Sequence, residues 1–169
     1  MAEFEESGMV FSFADENLFH IEDCDVYQQT LKSRGIRSVE CVALGPAQKV
    51  FFIEAKTSAP APNGERGQER FEEFLAEIRS KNVHSLLFTY AVLHRLQEIH
   101  EQPIGETLQG VLQHAPKIVF LLIVRTHQME WCIPLRDALH KKMADILSLW
   151  NAELLVVNEE FAKRNGLIL

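Results

Sequence analysis

The sequence predicts an α/β protein with a mixed central β-sheet carrying a charged hairpin and flanked by helices on both faces. Three stretches carry this expectation. Residues 37–44 ("RSVECVAL") and 49–56 ("KVFFIEAK") are rich in β-branched and aromatic residues, and the "GPAQ" turn signal between them makes a β-hairpin. From about Gln68 to about Glu101, apolar residues recur at helical spacing: Phe71, Phe74, Leu75, Ile78, Val83, Leu86, Leu87, Tyr90, Leu93, Leu96 and Ile99. Residues 117–124 ("KIVFLLIV") are too continuously apolar for an edge strand and read as a central strand buried on both faces.

Taken in chain order, "MVFSF" and "NLFHIED" are short strands, and "DVYQQTLKSRG" is a short helix or irregular turn ending at Gly35. The hairpin follows. "SAPAPNGERG" brings two prolines, an asparagine and two glycines, which stop the second hairpin strand and form a polar loop of the kind that borders binding sites. The next helical pattern is one long helix or two consecutive ones, with "SKNVHS" as the only candidate break. After the apolar strand, Pro134 suits the first turn of a helix through "LRDALHKKMADILSLW". "ELLVV" is a further strand, followed by a polar tail with a small helix. No internal repeat interrupts this order.

With 169 residues, 47% of them hydrophobic, the chain supports one well-buried core, so residues 1–169 are expected to form a single domain. Cys24, Cys41 and Cys132 are odd in number and widely spaced, which indicates neither a disulfide framework nor a zinc cluster. The start, "MAEFEESGMVFSF", is acidic where a secretory signal is basic, and no apolar run approaches the roughly 20 residues of a membrane span. A cytoplasmic protein without membrane contact is expected. The net charge of −7 argues against a broad phosphate-binding surface, so a polyanion would need a local patch. Lys32, Arg34 and Arg37, then His140, Lys141 and Lys142, then Lys163 and Arg164 are the candidates, each equally readable as ordinary solvated surface.

The stretch "VFFIEAKTS", residues 50–58, raises the functional question. Alternation puts Glu54 and Lys56 on one face with Phe52, and Phe51, Ile53 and Ala55 on the other. The preceding strand carries Glu40 between Val39 and Cys41. An odd-length turn, for instance residues 45–49, would set Glu40 opposite Glu54 with Cβ atoms within about 5 Å; a four-residue turn would face them apart. Two carboxylates so placed repel, and burying either one unpaired costs several kcal/mol, so a cation between them is called for. Magnesium typically takes one or two protein carboxylates plus waters and substrate phosphate. Lys56 is then positioned to hold or deprotonate an attacking water, or to stabilise charge on the phosphate.

This arrangement resembles the PD-(D/E)XK nuclease superfamily, in which an acidic residue on one hairpin strand precedes an acid-x-lysine trio on the next. The matching positions are Glu40 for the first acid and Glu54, Ala55 and Lys56 for the trio, with a helix and a buried strand following; the likeness covers about residues 37–124. It implies a restriction-endonuclease-like core and metal-dependent hydrolysis of nucleic acid, DNA favoured over RNA. Glu40 and Glu54 would be ligands of Mg2+ (Mn2+ as substitute), and Lys56 the catalytic lysine. The acid at position 40 is a glutamate preceded by "SV", where the pattern usually has aspartate after proline. In a chain with 19 glutamates and 8 lysines, Glu-x-Lys arises about once by chance, so its weight comes from its placement in the hairpin.

Glu22 or Asp23 in "HIEDCD" would supply a further metal-shell carboxylate or simply a solvated acidic turn. Edge-strand protection is the alternative account of Glu54 and Lys56. Thr57 and Ser58 read as turn caps or as phosphate-binding hydroxyls. Trp131 and Trp150 read as packing residues, with base stacking by Trp131 as the less favoured role. His94 and His100, six apart, do not share a helix face as a metal-binding pair. A second function class is a catalytically inactive subunit or adaptor on the same scaffold. In either case a homodimer or a partner protein is expected, the long helix offering a second stripe to another copy.

Overall fold

The computed structural model describes residues 1–96 and 102–169. Ile99, His100 and Glu101 therefore lie outside the described residues.

A five-stranded sheet organises the chain, in the order β3 (Leu18–Phe19), β4 (Cys41–Leu44), β5 (Val50–Lys56), β6 (Ile118–Val124), β7 (Glu153–Asn158). The first three strands form an antiparallel meander, whereas β6 and β7 run parallel to β5, so the sheet is mixed. The hairpin is where the sequence put it. Leu44 pairs with Val50, leaving the odd-length connection Gly45 to Lys49, closed by the Gly45 N–H donating to the Lys49 carbonyl at 2.9 Å. The parallel pairs need long crossovers, which helices supply. α2 (Gly64–Leu93) and α3 (Glu106–Leu112) connect β5 to β6, and α4 (Met129–Lys142) and α5 (Ala144–Leu149) connect β6 to β7.

Strand alternation separates two packing layers. Phe19, Val42, Phe52, Phe120, Leu122 and Val156 face the layer formed by α2 to α5 and α1 (Asp25–Thr30). Ala43, Phe51, Ile53, Leu121 and Ile123 face the opposite side. Helices make up the whole cover of the first side, whereas on the second a single short helix lies beside strands. There the cover is an antiparallel hairpin, β1 (Ala2–Glu6) with β2 (Met9–Phe13), joined by the short helix α6 (Glu159–Arg164). β1 escaped the sequence reading because its glutamates alternate with Ala2 and Phe4. That pattern marks a strand with one wet face, and it was read only as acidity. The Leu169 N–H donates to the Val10 carbonyl at 2.9 Å, tying the last residue to β2.

α2 is a single helix of 30 residues with no interruption at "SKNVHS", and it takes in the "GERG" assigned to the preceding loop. At 1.5 Å per residue it is about 45 Å long, enough to cross the sheet. Phe71, Phe74, Leu86 and Leu93 are buried in the chain's own core, and Tyr90 packs on Trp150 with ring centroids 5.2 Å apart. Pro134 lies well inside α4, which begins at Met129, and not in its first turn. Gly35 ends the turn after α1 at φ 73°, a backbone conformation that glycine adopts at no steric cost. Cys24, Cys41 and Cys132 are free and buried. Among the described residues no helix is long and apolar enough to cross a membrane.

Candidate active site

Because β5 is interior, its side chains cannot reach water along most of their length. Six of its seven residues are buried, Glu54 at 0% exposure among them. As alternation requires, Glu54 and Lys56 emerge on the helix side with Phe52, toward the middle of α2. There the apolar stripe of that helix is replaced by polar residues: Lys81, Asn82, Ser85 and Thr89 are buried, flanked by Ile78 and Val92.

A compact ion-pair lattice results. Lys81 Nζ donates to Glu54 Oε1 at 2.6 Å, and Lys56 Nζ approaches the same oxygen at 3.3 Å. Lys56 also donates to Glu77 Oε1 at 2.9 Å, which Arg37 approaches at 3.6 Å. Glu77 and Lys81 are one helical turn apart on α2, so both face β5. The other carboxylate oxygen, Glu54 Oε2, is buried with no hydrogen-bond partner. Leaving a buried carboxylate oxygen in that state is costly.

Glu40 lies one residue before β4, in a bend outside the strand that was expected to contain it. Its N–H donates to the Ile53 carbonyl at 2.9 Å, and the pairing of Cys41 with Ile53 sets positions 40 and 54 next along the two chains. Burial raises its carboxyl to about 8, and the charges of Glu54, Glu6 and Glu22 push in the same direction, partly offset by Lys81. Burial likewise pushes Glu54 upward against the pull of Lys81 and Lys56. Burial disfavours charge on Lys56, but the Glu77 hydrogen bond and the Glu54 field outweigh it and hold the ammonium above its ordinary range. Glu77 is displaced upward by burial and, more strongly in total, downward by Lys56, Lys81 and Arg37, ending below the usual carboxylate range.

The hairpin thus brings Glu40, Glu54 and Lys56 into one electrostatic neighbourhood. It does not gather the other acidic candidates there. Asp23 bonds His20 at 2.6 Å on the surface, and Glu22 pairs with Lys32 at 3.5 Å, acting on Glu40 only through its field. Among the described residues no group of three or more histidine, cysteine or acidic side chains is arranged to hold a metal ion. Two carboxylates with an orphaned oxygen do fit the smaller protein share that magnesium uses. The suggested cationic patches are largely neutralised, since Lys32, Arg37, Lys142, Lys163 and Arg164 all sit within ion pairs.

Lys81, Glu77 and Ser85, whose Oγ accepts the Val39 N–H at 2.9 Å, were missed in the sequence reading. A signal existed. Counting from Ile78 at steps of three and four lands on Lys81, Asn82, Ser85 and Thr89, polar residues on the stripe that must face the sheet. No protein-family model matches this chain, and neither a curated protein nor a solved structure matches it.

Proposed function

We propose that the protein is a metal-dependent phosphodiester hydrolase of the PD-(D/E)XK type, acting on nucleic acid, with Glu40, Glu54 and Lys56 as its working residues. The observation that carries this reading is the Glu54 carboxylate: fully buried, one oxygen engaged by two ammonium groups and the other left without a partner. The hairpin followed by α2 and β6 agrees with the element order that the resemblance implies.

Glu54 Oε2 and the Glu40 carboxylate would hold a divalent cation, which in turn would bring Glu40 into its ionised form at neutral pH. Such a cation, when bound, supplies Lewis acidity toward a phosphoryl oxygen and acidifies a bound water. Lys56 remains protonated at neutral pH, which makes it a donor and a charge stabiliser and argues against its serving as a general base. Glu77 and Lys81 act as positioning residues, Glu77 fixing the Lys56 ammonium and Lys81 the Glu54 carboxylate. The ion pair from Lys81 favours a second reading, in which Lys81 takes over the neutralising role of a metal and the scaffold acts as a non-catalytic subunit.

Calorimetry with Mg2+ and Mn2+, together with cleavage assays on single-stranded DNA, double-stranded DNA and RNA, separates the two. The hydrolase reading expects cation binding and cation-dependent cleavage that Lys56→Ala lowers by about 100-fold or more. Neither binding nor cleavage by the parent chain leaves the scaffold reading.

A further inference from the structure

A second feature sits at the carboxyl ends of the parallel strands. The connection leaving β5 and the one leaving β6 diverge toward α2 and α4, and a cavity of about 620 Å³ opens between them. Its walls include Pro60, Pro62, Phe71, His127, Trp131 and Pro134. Crevices outside the carboxyl ends of parallel strands are where open α/β sheets place ligands. A cavity of similar size, about 590 Å³, is lined by Tyr90, Lys117 and Trp150 at the other end of β6, away from Lys56.

The first cavity is linked to the candidate active site through the backbone that leaves β5 and β6. Arg125 N–H donates to the Lys56 carbonyl at 2.9 Å, and Thr126 reaches the Thr57 carbonyl through its N–H at 3.0 Å and its Oγ1 at 2.9 Å. Ala59, where the cavity wall begins, is three residues from Lys56 and so within about 10 Å of it. An unstacked, extended strand spaces its phosphates at roughly twice the 3.4 Å rise of a stacked one, so that is the reach of one or two units of a polynucleotide.

Trp131 is 54% exposed although a large apolar side chain is normally more buried, and its indole stands edge-on to His127 at 90° with centroids 5.7 Å apart. Burial lowers the His127 imidazole from its ordinary range, so the ring is uncharged at neutral pH and offers one donor and one acceptor. Flat rings and proline faces with few charges suit a planar heteroaromatic ligand.

We propose that this cavity is a subsite for one unstacked nucleobase of a single-stranded polynucleotide whose phosphodiester lies at Glu40, Glu54 and Lys56, a proposal that rests on the hydrolytic reading. The charge distribution places the recognition on a base and not on the phosphate backbone. With a net charge of −7 and its candidate cationic patches largely paired, the chain cannot draw much affinity from phosphate neutralisation. Base stacking needs no net positive charge. Bases within a duplex are already stacked and would have to be extruded at a cost, so a single strand is the better fit.

Trp131 and Trp150 are the two tryptophans of the chain, so Trp150→Phe isolates Trp131 emission. That variant is titrated with short oligothymidylate, short oligouridylate and a blunt DNA duplex, in EDTA to prevent cleavage. Quenching by one or both single strands at lower concentration than the duplex supports the subsite, and the stronger quencher names the sugar. Read instead by the fluorescence anisotropy of a dye-labelled oligomer, Trp131→Ala should weaken binding about ten-fold, and Trp131→Phe should retain most of it. Absence of quenching by any oligomer, or unchanged affinity in Trp131→Ala, overturns the subsite. Parallel cleavage assays keep the two proposals apart. Cleavage with a silent Trp131 removes the subsite alone, and Trp131-dependent binding without cleavage removes the hydrolytic reading alone.

Discussion

β5 and β6 are adjacent, parallel, of equal length and paired residue for residue, yet one is wholly apolar and the other ends in Glu54-Ala55-Lys56. Leu122 stands beside Glu54 and Val124 beside Lys56. At the same depth, one strand packs methyl groups and the other a carboxylate with no solvent exposure. What differs is the side chains that meet them. Over β5, α2 breaks its own apolar stripe with Lys81, Asn82, Ser85 and Thr89, whereas Leu122 and Val124 sit in the apolar cluster that also takes in Leu135 and Leu139. Charge at the end of β5 is sustained by the facing element, and burying it leaves one carboxylate oxygen without a hydrogen-bond partner.

The largest expected effect comes from removing the compensating lysine. Lys81→Met leaves Glu54 buried with only the more distant Lys56 ammonium and should cost about 3–5 kcal/mol in chemical denaturation. The double variant Glu54→Leu/Lys81→Met, which makes the end of β5 resemble β6, should recover most or all of that loss. A double variant as unstable as the single one would show that the β5 charge is not what distinguishes the two strands.

A smaller effect is expected from pH. The Glu40 carboxyl is raised from 4.5 to about 8, so between those values the native state binds more protons than the unfolded chain. Stability should fall as pH rises through that window and level off above about 8. At about 1.4 kcal/mol per unit the ceiling is about 5 kcal/mol, and because Glu40 is only partly buried about half of that is a reasonable expectation. Thermal melts at the two ends of the window should show this slope in the parent and lose it in Glu40→Gln. Added Mg2+ should flatten it in the parent by stabilising the ionised form.

The smallest effect on stability belongs to Lys56→Ala. Its side chain is about a quarter exposed at 24%, and Lys81 remains closer to Glu54, so the loss should stay within about 1 kcal/mol by denaturant titration. A loss of several kcal/mol would make Lys56 a structural partner of Glu54 and would undermine its assignment to chemistry.

Much of this molecule could be read along the chain. The long helix follows from its period of 3.6, the hairpin from two β-branched and aromatic runs around a turn signal, and the buried strand from an unbroken apolar run; the odd-length turn is one of the two registers the sequence allows. α3 and α5 were not distinguished, because helices of 7 and 6 residues carry too few turns for a pattern to emerge. Pro134 points to a helix start by local rule, yet α4 begins five residues earlier, at Met129, and holds the proline in its interior. At the site, Glu40, Glu54 and Lys56 were legible from local pattern. Lys81 and Glu77 were not, since their meaning depends on which strand α2 crosses.

The amino-acid order alone determined that β5 is an apolar strand with two charges on one side, since alternation is a property of the backbone and holds in any fold. It left open whether Glu40, on the preceding segment, comes to the same face, because the length of the turn sets the register. Only the tertiary structure decided that Glu54 is wholly removed from water, that Lys81 meets it at 2.6 Å, and that one of its oxygens remains unpaired. The reason is that desolvation and ion pairing depend on what packs above a strand, and Lys81, 27 residues from Glu54 along the chain, supplies that only once the sheet and its crossover have formed.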